Sequence, residues 1–249
     1  MKYKQYSFWG EKKLLIDKIE PTHYVRNFLI KKQIGFLTRK YRIRNACEVG
    51  CGLGILSKNM AEKGINVDAY DLDKQAIQIA KKYNSHRRIT FSSANVFSIK
   101  NKRSYDLVLN IEVLEHINDD AGALKKMGEL LHEKGLLLIT VPANERYRTK
   151  FDDISGHARR YTAKELKEKL EKTGLRIMKV KYFGFPLLYY YYFHVYLKAA
   201  HNKEKLKSKG ISPIQKAILK VMDLIFLSDL MWNTKKAINL MIIARKERR

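Results

Sequence analysis

The chain has 249 residues, 45% apolar and 30% charged, which excludes a disordered or fibrous protein and leaves enough apolar surface for a substantial core. Fifty Lys and Arg stand against 25 Asp and Glu, a formal net charge of +25 that favours anionic partners, whether nucleic acid or an acidic membrane face. Two cysteines four residues apart, Cys47 and Cys51, make no disulfide framework, and no apolar run follows the basic first residues; both features point to a cytoplasmic, reducing setting.

Residues 1–44 mix aromatic, basic and apolar side chains and are expected to form a helical cap, with helices over Gly10–Ile19 and His23–Lys40. From Asn45 the pattern becomes regular. Short apolar strands (Ala46–Val49, Asn66–Asp71, Arg88–Phe91, Tyr105–Asn110, Gly135–Val141) alternate with helical stretches (Leu53–Lys63, Lys74–Tyr83, Ala121–His132). The continuous apolar run Leu136–Ile139 fits a strand buried on both faces, so the alternation reads as βαβ units around a parallel sheet. Thr162 and Glu165 form a capping-box pattern, with Tyr161 and Leu166 placed as a hydrophobic staple, and that helix ends near Gly174 before a strand over Leu175–Tyr182.

Residues 183–233 read as an insertion. Tyr182–Leu197 has no charged residue apart from His194 and contains five consecutive aromatic residues, Tyr189 to Phe193. Sixteen residues fall short of the roughly 20 needed to span a bilayer, and tyrosines favour its interface. After a Lys-rich stretch, Ser212 and Pro213 start a second helix, Ile214–Trp232, with Ile214, Ile218, Val221, Met222 and Ile225 at helical spacing. Ala237–Ala244 then reads as a returning strand. The expected organisation is a helical cap (1–44), an α/β core (45–182), a lid insertion (183–233), and a last strand with a basic tail (234–249).

Glu48-Val49-Gly50-Cys51-Gly52-Leu53-Gly54 leaves the first core strand and opens a helix, where glycines allow a tight turn and close approach to a ligand. Its spacing is G-x-G-x-G, and position 55, where a dinucleotide fingerprint wants Gly or Ala, is Ile55. Asp71 ends the second strand, placed to accept hydrogen bonds from both hydroxyls of a ribose.

The segments EVGCGLG (48–54), VDAYDLD (67–73), YDLVLNIEVLEH (105–116) and GLLLITVPA (135–143) resemble the class I S-adenosylmethionine-dependent methyltransferases. The resemblance implies a Rossmann-like, mostly parallel seven-stranded sheet with helices on both faces. It also implies that Glu48, Gly50, Cys51, Gly52 and Gly54 contact the methionine part of the cofactor and Asp71 the ribose. Leu72 would flank the adenine, and Asn95 and Val96 would stand at its amino group, Asn95 replacing the family's usual Asp. Asn110 would border the sulfonium.

On a helical turn Glu112, Glu115 and His116 would share one face, two carboxylates and an imidazole suited to a hard divalent ion. The segment is similar to the E-x-x-E-H that carries Mg²⁺ in ubiquinone-pathway O-methyltransferases and in enzymes that methylate the 3′ end of small RNAs. The latter add a later His, for which His157 is the candidate; with Glu115 and His116 it is also a candidate catalytic residue. A structural role for this segment is the alternative, and His157 and Arg160 are alternatively placed to bind an anionic substrate group. Three readings of function follow: methyl transfer to oxygen or carbon of a small or lipid-linked acceptor, with the insertion as lid and contact to the inner face of an anionic membrane; metal-assisted 2′-O-methylation of RNA; and a non-catalytic scaffold. Nucleic acid is the less favoured partner, because the aromatic run is apolar for a wet groove. The acceptor and the oligomeric state are not legible.

Overall fold

Neighbouring residues of the central strands face opposite layers of helices, as the two-residue period of a strand requires. The computed structural model describes residues 20–100, 104–197 and 213–247. The first described helix is α1 (Pro21–Tyr41), capped by the Glu20 carboxylate, which accepts from the His23 amide at 3.0 Å. The core then runs β1 (Asn45–Val49), α2 (Ile55–Glu62), β2 (Asn66–Asp71), α3 (Lys74–Asn84), β3 (Ile89–Ser93), β4 (Tyr105–Ile111), α4 (Asp120–Leu130) and β5 (Leu131–Pro142). After it come α5 (Lys150–Ser155), α6 (Ala163–Glu171), β6 (Leu175–Phe183), α7 (Leu187–Tyr191), a π turn through Tyr192–Tyr196, α8 (Pro213–Phe226) and β7 (Asn239–Lys246). The expected helix Gly10–Ile19 lies outside the described residues.

The seven strands form one sheet in the order β3-β2-β1-β4-β5-β7-β6. β3 to β5 pair in parallel, and β7 runs antiparallel between β5 and β6. Val108, Leu137, Ile139, Leu240 and Ile242 point to one layer with α4 and α6; Leu107, Leu109, Leu136, Leu138 and Met241 point to the other with α1, α2 and α3. This is the Rossmann-like sheet with helices on both faces that the sequence pattern implies.

The box at α6 has both halves: the Glu165 amide donates to Thr162 Oγ1 at 3.3 Å, and the Thr162 amide donates to Glu165 Oε2 at 2.8 Å. Several boundaries differ from the sequence reading. The helix over 121–132 stops at Leu130, because Leu131 already pairs with Tyr105 and opens β5. The helix over 214–232 ends at Phe226 and tightens into a 3₁₀ turn over Leu227–Met231. The last strand lies two residues later, at Asn239–Lys246. The sequence reading missed α5, since six residues are too few to show a helical period.

Candidate active site

Strand order reverses between β1 and β4, and a cavity of about 1270 Å³ opens there at the carboxyl ends of β1, β2 and β4. It runs from the glycine turn to the loop carrying Glu115 and His116, and α1 and the π turn after α7 supply its outer wall. Glu48, Gly50, Cys51, Gly52, Asp71, Leu72, Asn95, Val96, Glu112, Glu115, His116 and His157 all line it.

The turn is held in shape by its own hydrogen bonds. The amides of Gly50 and Cys51 donate to the Tyr70 carbonyl at 2.7 and 2.9 Å. The Gly52 amide donates to Asp71 Oδ2 at 2.8 Å, and the Asp73 amide donates to Oδ1 at 2.9 Å. Burial raises the Asp71 pKa above the usual carboxylate range against those two donors. Burial also lifts Glu48 to about 8, in spite of the hydroxyl hydrogen bond it accepts from Ser57. Gly50 has φ +79° and leaves no room for a Cβ, which would stand 2.2 Å from Val113 Cγ2.

Two expected cofactor contacts lie off the cavity lining. Gly54 does not line the cavity; it sits at φ +75° at the start of α2, and a Cβ there would meet Phe91 Cζ at 2.5 Å, so its smallness serves helix–sheet packing. Asn110 is wholly buried behind the wall, its amide nitrogen 3.3 Å from the Val49 carbonyl, and Ile111 and Glu112 take the exposed place. Asn95 lines the cavity but also caps the Val96–Ser98 turn, its Oδ1 accepting from the Phe97 amide at 3.0 Å.

The acidic segment departs from the expected helical face. Only Leu114–His116 is helical, as one 3₁₀ turn, and Glu112 adopts φ +55° ahead of it. Glu112 therefore turns to another partner set, accepting from Thr140 Oγ1 at 2.8 Å and facing Arg26 of α1 at 3.5 Å. The group that converges is Glu115, His116 and His157, whose ligand-type atoms lie within 4.8 Å of one another.

Glu115 is 1% exposed and neither carboxylate oxygen has a hydrogen-bond partner among the described residues. Burial, followed by the charge of Glu112, raises its pKa well above normal. His116 Nδ1 is 3.2 Å from the Gly156 carbonyl and its Nε2 4.0 Å from Glu115 Oε1; burial, then the neighbouring His157, pushes its pKa down to about 4. The His157 ring centre is 4.8 Å from that of His116, and its Nδ1 is 2.8 Å from Asp152 Oδ1.

Asp152 also receives Arg160 in a fork, Nε at 2.9 Å and Nη2 at 3.0 Å. The Arg160 guanidinium is thus paired with Asp152 at the cavity wall, so an anionic substrate group would have to share it with that carboxylate. The sequence reading also missed Arg26, Phe151, Tyr192 and Tyr196 as cavity residues. Arg26 Nε is buried with no hydrogen-bond partner among the described residues. The helical pattern of α1 shows which of its residues are buried, not which face a cavity built from chain 90 residues away.

A buried sheet end with a glycine turn, a carboxylate after β2 and a polar cluster beyond defines a protein that holds a nucleoside-bearing ligand against a second reactant. A family model described as a methyltransferase domain matches residues 22–180. The ubiquinone biosynthesis O-methyltransferase of Pelagibacter ubique is 28% identical over 133 residues, covering 49% of this chain and 55% of that protein. The one from Nitrosospira multiformis is 32% identical over 125 residues, covering 48% and 51%. The chain thus spans about half the length of the curated relatives it matches. Phosphoethanolamine N-methyltransferase 2 of Haemonchus contortus, solved with S-adenosyl-L-methionine, superposes with a TM-score of 0.62 at 15% identity over 100% of this chain and 60% of that one. The [4+2]-cyclase SpnF superposes at 0.62 with 18% identity over 88% and 81%. Similarity at that level shows the fold alone. With the family model, it makes the chain a member of the class I S-adenosylmethionine-dependent methyltransferases.

Proposed function

We propose that this protein transfers the methyl group of S-adenosylmethionine to an oxygen of a small-molecule acceptor, lipid-linked acceptors included. The observation that carries the reading is the single cavity joining the Gly50–Asp71 turn to Glu115, His116 and His157. The oxygen acceptor is carried over from relatives named for O-methylation in ubiquinone biosynthesis.

The cofactor supplies an already activated methyl group, so the chain's work is positioning and proton removal. Asp71 would take the ribose, Glu48 and the Gly50–Gly52 turn the methionine end, and Leu72, Asn95 and Val96 the adenine. Residues 183–197 act as part of the expected lid in this reading, Tyr192 and Tyr196 lining the outer wall with their rings stacked at 5.6 Å; residues 198–212 of that segment lie outside the described residues.

An acceptor hydroxyl must lose its proton as the methyl arrives. Glu115, His116 and His157 are the groups placed to take it or to hold a divalent cation. The unpaired, buried Glu115 oxygens fit a cation, and both imidazoles have Nδ1 beside an oxygen acceptor, the arrangement that orients metal-bound histidines. Two nitrogens and one oxygen suit a transition ion such as Mn²⁺ better than the Mg²⁺ implied by the resemblance. When bound, the cation would lower the pKa of the coordinated hydroxyl and orient it.

The test is transfer of labelled methyl from S-adenosylmethionine to a panel of hydroxylated acceptors, with and without chelator. Methyl ethers formed by wild type and abolished by His157→Ala support the reading. Label incorporated only into RNA or only into nitrogen would contradict it.

A further inference from the structure

The face of α8 turned away from the protein has no role in the methyltransferase site. Phe226 packs its inner side against Val25 and Leu188, and Asp223 is buried on that side. At 100° per residue, Ile214, Ile218, Val221 and Ile225 lie within an arc of about 60° on the opposite side. All four are between 52% and 73% exposed, Leu224 flanks them, and Met231 and Trp232 stand exposed just past the helix. An amphipathic helix packed on a core normally shows water a polar face; here the exposed side carries this stripe of large apolar residues, with the exposed Lys220 beside it.

We propose that this outer face docks on an anionic lipid membrane, with α8 lying in the interface plane. Charge selects the occupant. In the sequence, the stretch entering the helix, 198–212, holds Lys198, Lys203, Lys205, Lys207 and Lys209 against Glu204 alone, and the exposed Lys235 and Lys236 follow Trp232. A second copy of a chain with net charge +25 would bring like charges together on either side of the stripe, whereas anionic headgroups neutralise them. A tryptophan at one end of the stripe matches the residue preference of a membrane–water boundary. No helix among the described residues is long and apolar enough to cross a membrane, so the contact is a surface one. This docking does not depend on the methyl-transfer reading.

The test is co-sedimentation of the full chain with vesicles of phosphatidylcholine alone and of phosphatidylcholine mixed with phosphatidylglycerol. The comparison variant is the double substitution Ile218→Glu and Val221→Glu, with circular dichroism as the folding control. Wild type is expected to follow the anionic vesicles, with at least about a tenfold drop in partition for the variant, since two apolar side chains leave the contact. Lys235→Glu with Lys236→Glu should weaken binding and make what remains less sensitive to salt. The proposal is overturned if wild type ignores anionic vesicles, or if the glutamate variant binds them equally well. It is overturned too if light scattering shows a wild-type dimer that those glutamates convert to monomer, which would make the face an interface between copies.

Discussion

Nδ1 of His157 lies 2.8 Å from Oδ1 of the fully buried Asp152, so the orientation of one cavity imidazole depends on a carboxylate that never reaches the cavity. Asp152 is held ionised although burial opposes it, because hydrogen bonds from His157 and Arg160 outweigh that cost. Asp152→Asn leaves Arg160 buried without its counter-charge, and unfolding free energy should fall by about 3–5 kcal/mol. Urea denaturation checks this. A loss well below about 1 kcal/mol would mean the fork contributes little.

Glu115 should behave in the opposite way. Its two oxygens are buried without a hydrogen-bond partner among the described residues, so no hydrogen bond of the unliganded fold depends on its charge. Glu115→Gln is expected to leave thermal stability unchanged or slightly raised, while removing any stabilisation that added Mn²⁺ gives wild type. A thermal-shift series with and without Mn²⁺ reads both effects. A strongly destabilised variant that still responds to Mn²⁺ would show Glu115 to be a structural group.

Gly54→Ala tests the separation of packing from binding within the glycine turn. The added Cβ must displace Phe91 and adopt a left-handed conformation, for a combined cost of about 2–4 kcal/mol. Chemical denaturation should show that loss. Gly50→Ala places its Cβ against Val113 on the cavity wall and should weaken cofactor binding as well.

Glu48 gives a pH signature. Its folded pKa of about 8 exceeds the ordinary value of 4.5, so the fold favours the protonated form. The sign follows: this contribution to stability is complete below pH 4.5 and is lost as pH rises through about 8. The melting temperature of the unliganded protein should carry a downward component across that range, and Glu48→Gln should remove it. The same proton should leave when a cationic methionine end binds, making the calorimetric enthalpy at neutral pH depend on the buffer's ionisation heat.

The sheet was legible because its strands are apolar on both faces and punctuated by helices of regular period; Leu136 to Ile139 alone argued for a central strand. The cavity wall after β1 and β2 was legible because its residues are local, following those strands within a short span. In the far half, Glu115, His116 and His157 were legible as a group, but the partners of Glu112 and Arg160 were not. Glu112 and Glu115 look equivalent on a helical wheel, but Glu112 lies outside the single 3₁₀ turn and pairs with Thr140 and Arg26 instead. Arg160 read as a free fork because its partner, Asp152, lies on a six-residue helix with no period to reveal it. Tyr192 and Tyr196 stood out as aromatic, but their place on the cavity depends on how α7 folds back across the sheet end.

The most direct test of the account is the calorimetric titration of S-adenosylmethionine into wild type, Asp71→Ala and Asp71→Asn. A carboxylate accepting from ribose hydroxyls contributes about 1.5–3 kcal/mol per charged hydrogen bond, so both variants should bind at least about tenfold more weakly. One-to-one binding by wild type, lost or reduced in that measure by either substitution, is the expected result. No heat and no competition by S-adenosylhomocysteine in wild type would contradict the account and leave a methyltransferase fold used for something other than methyl transfer.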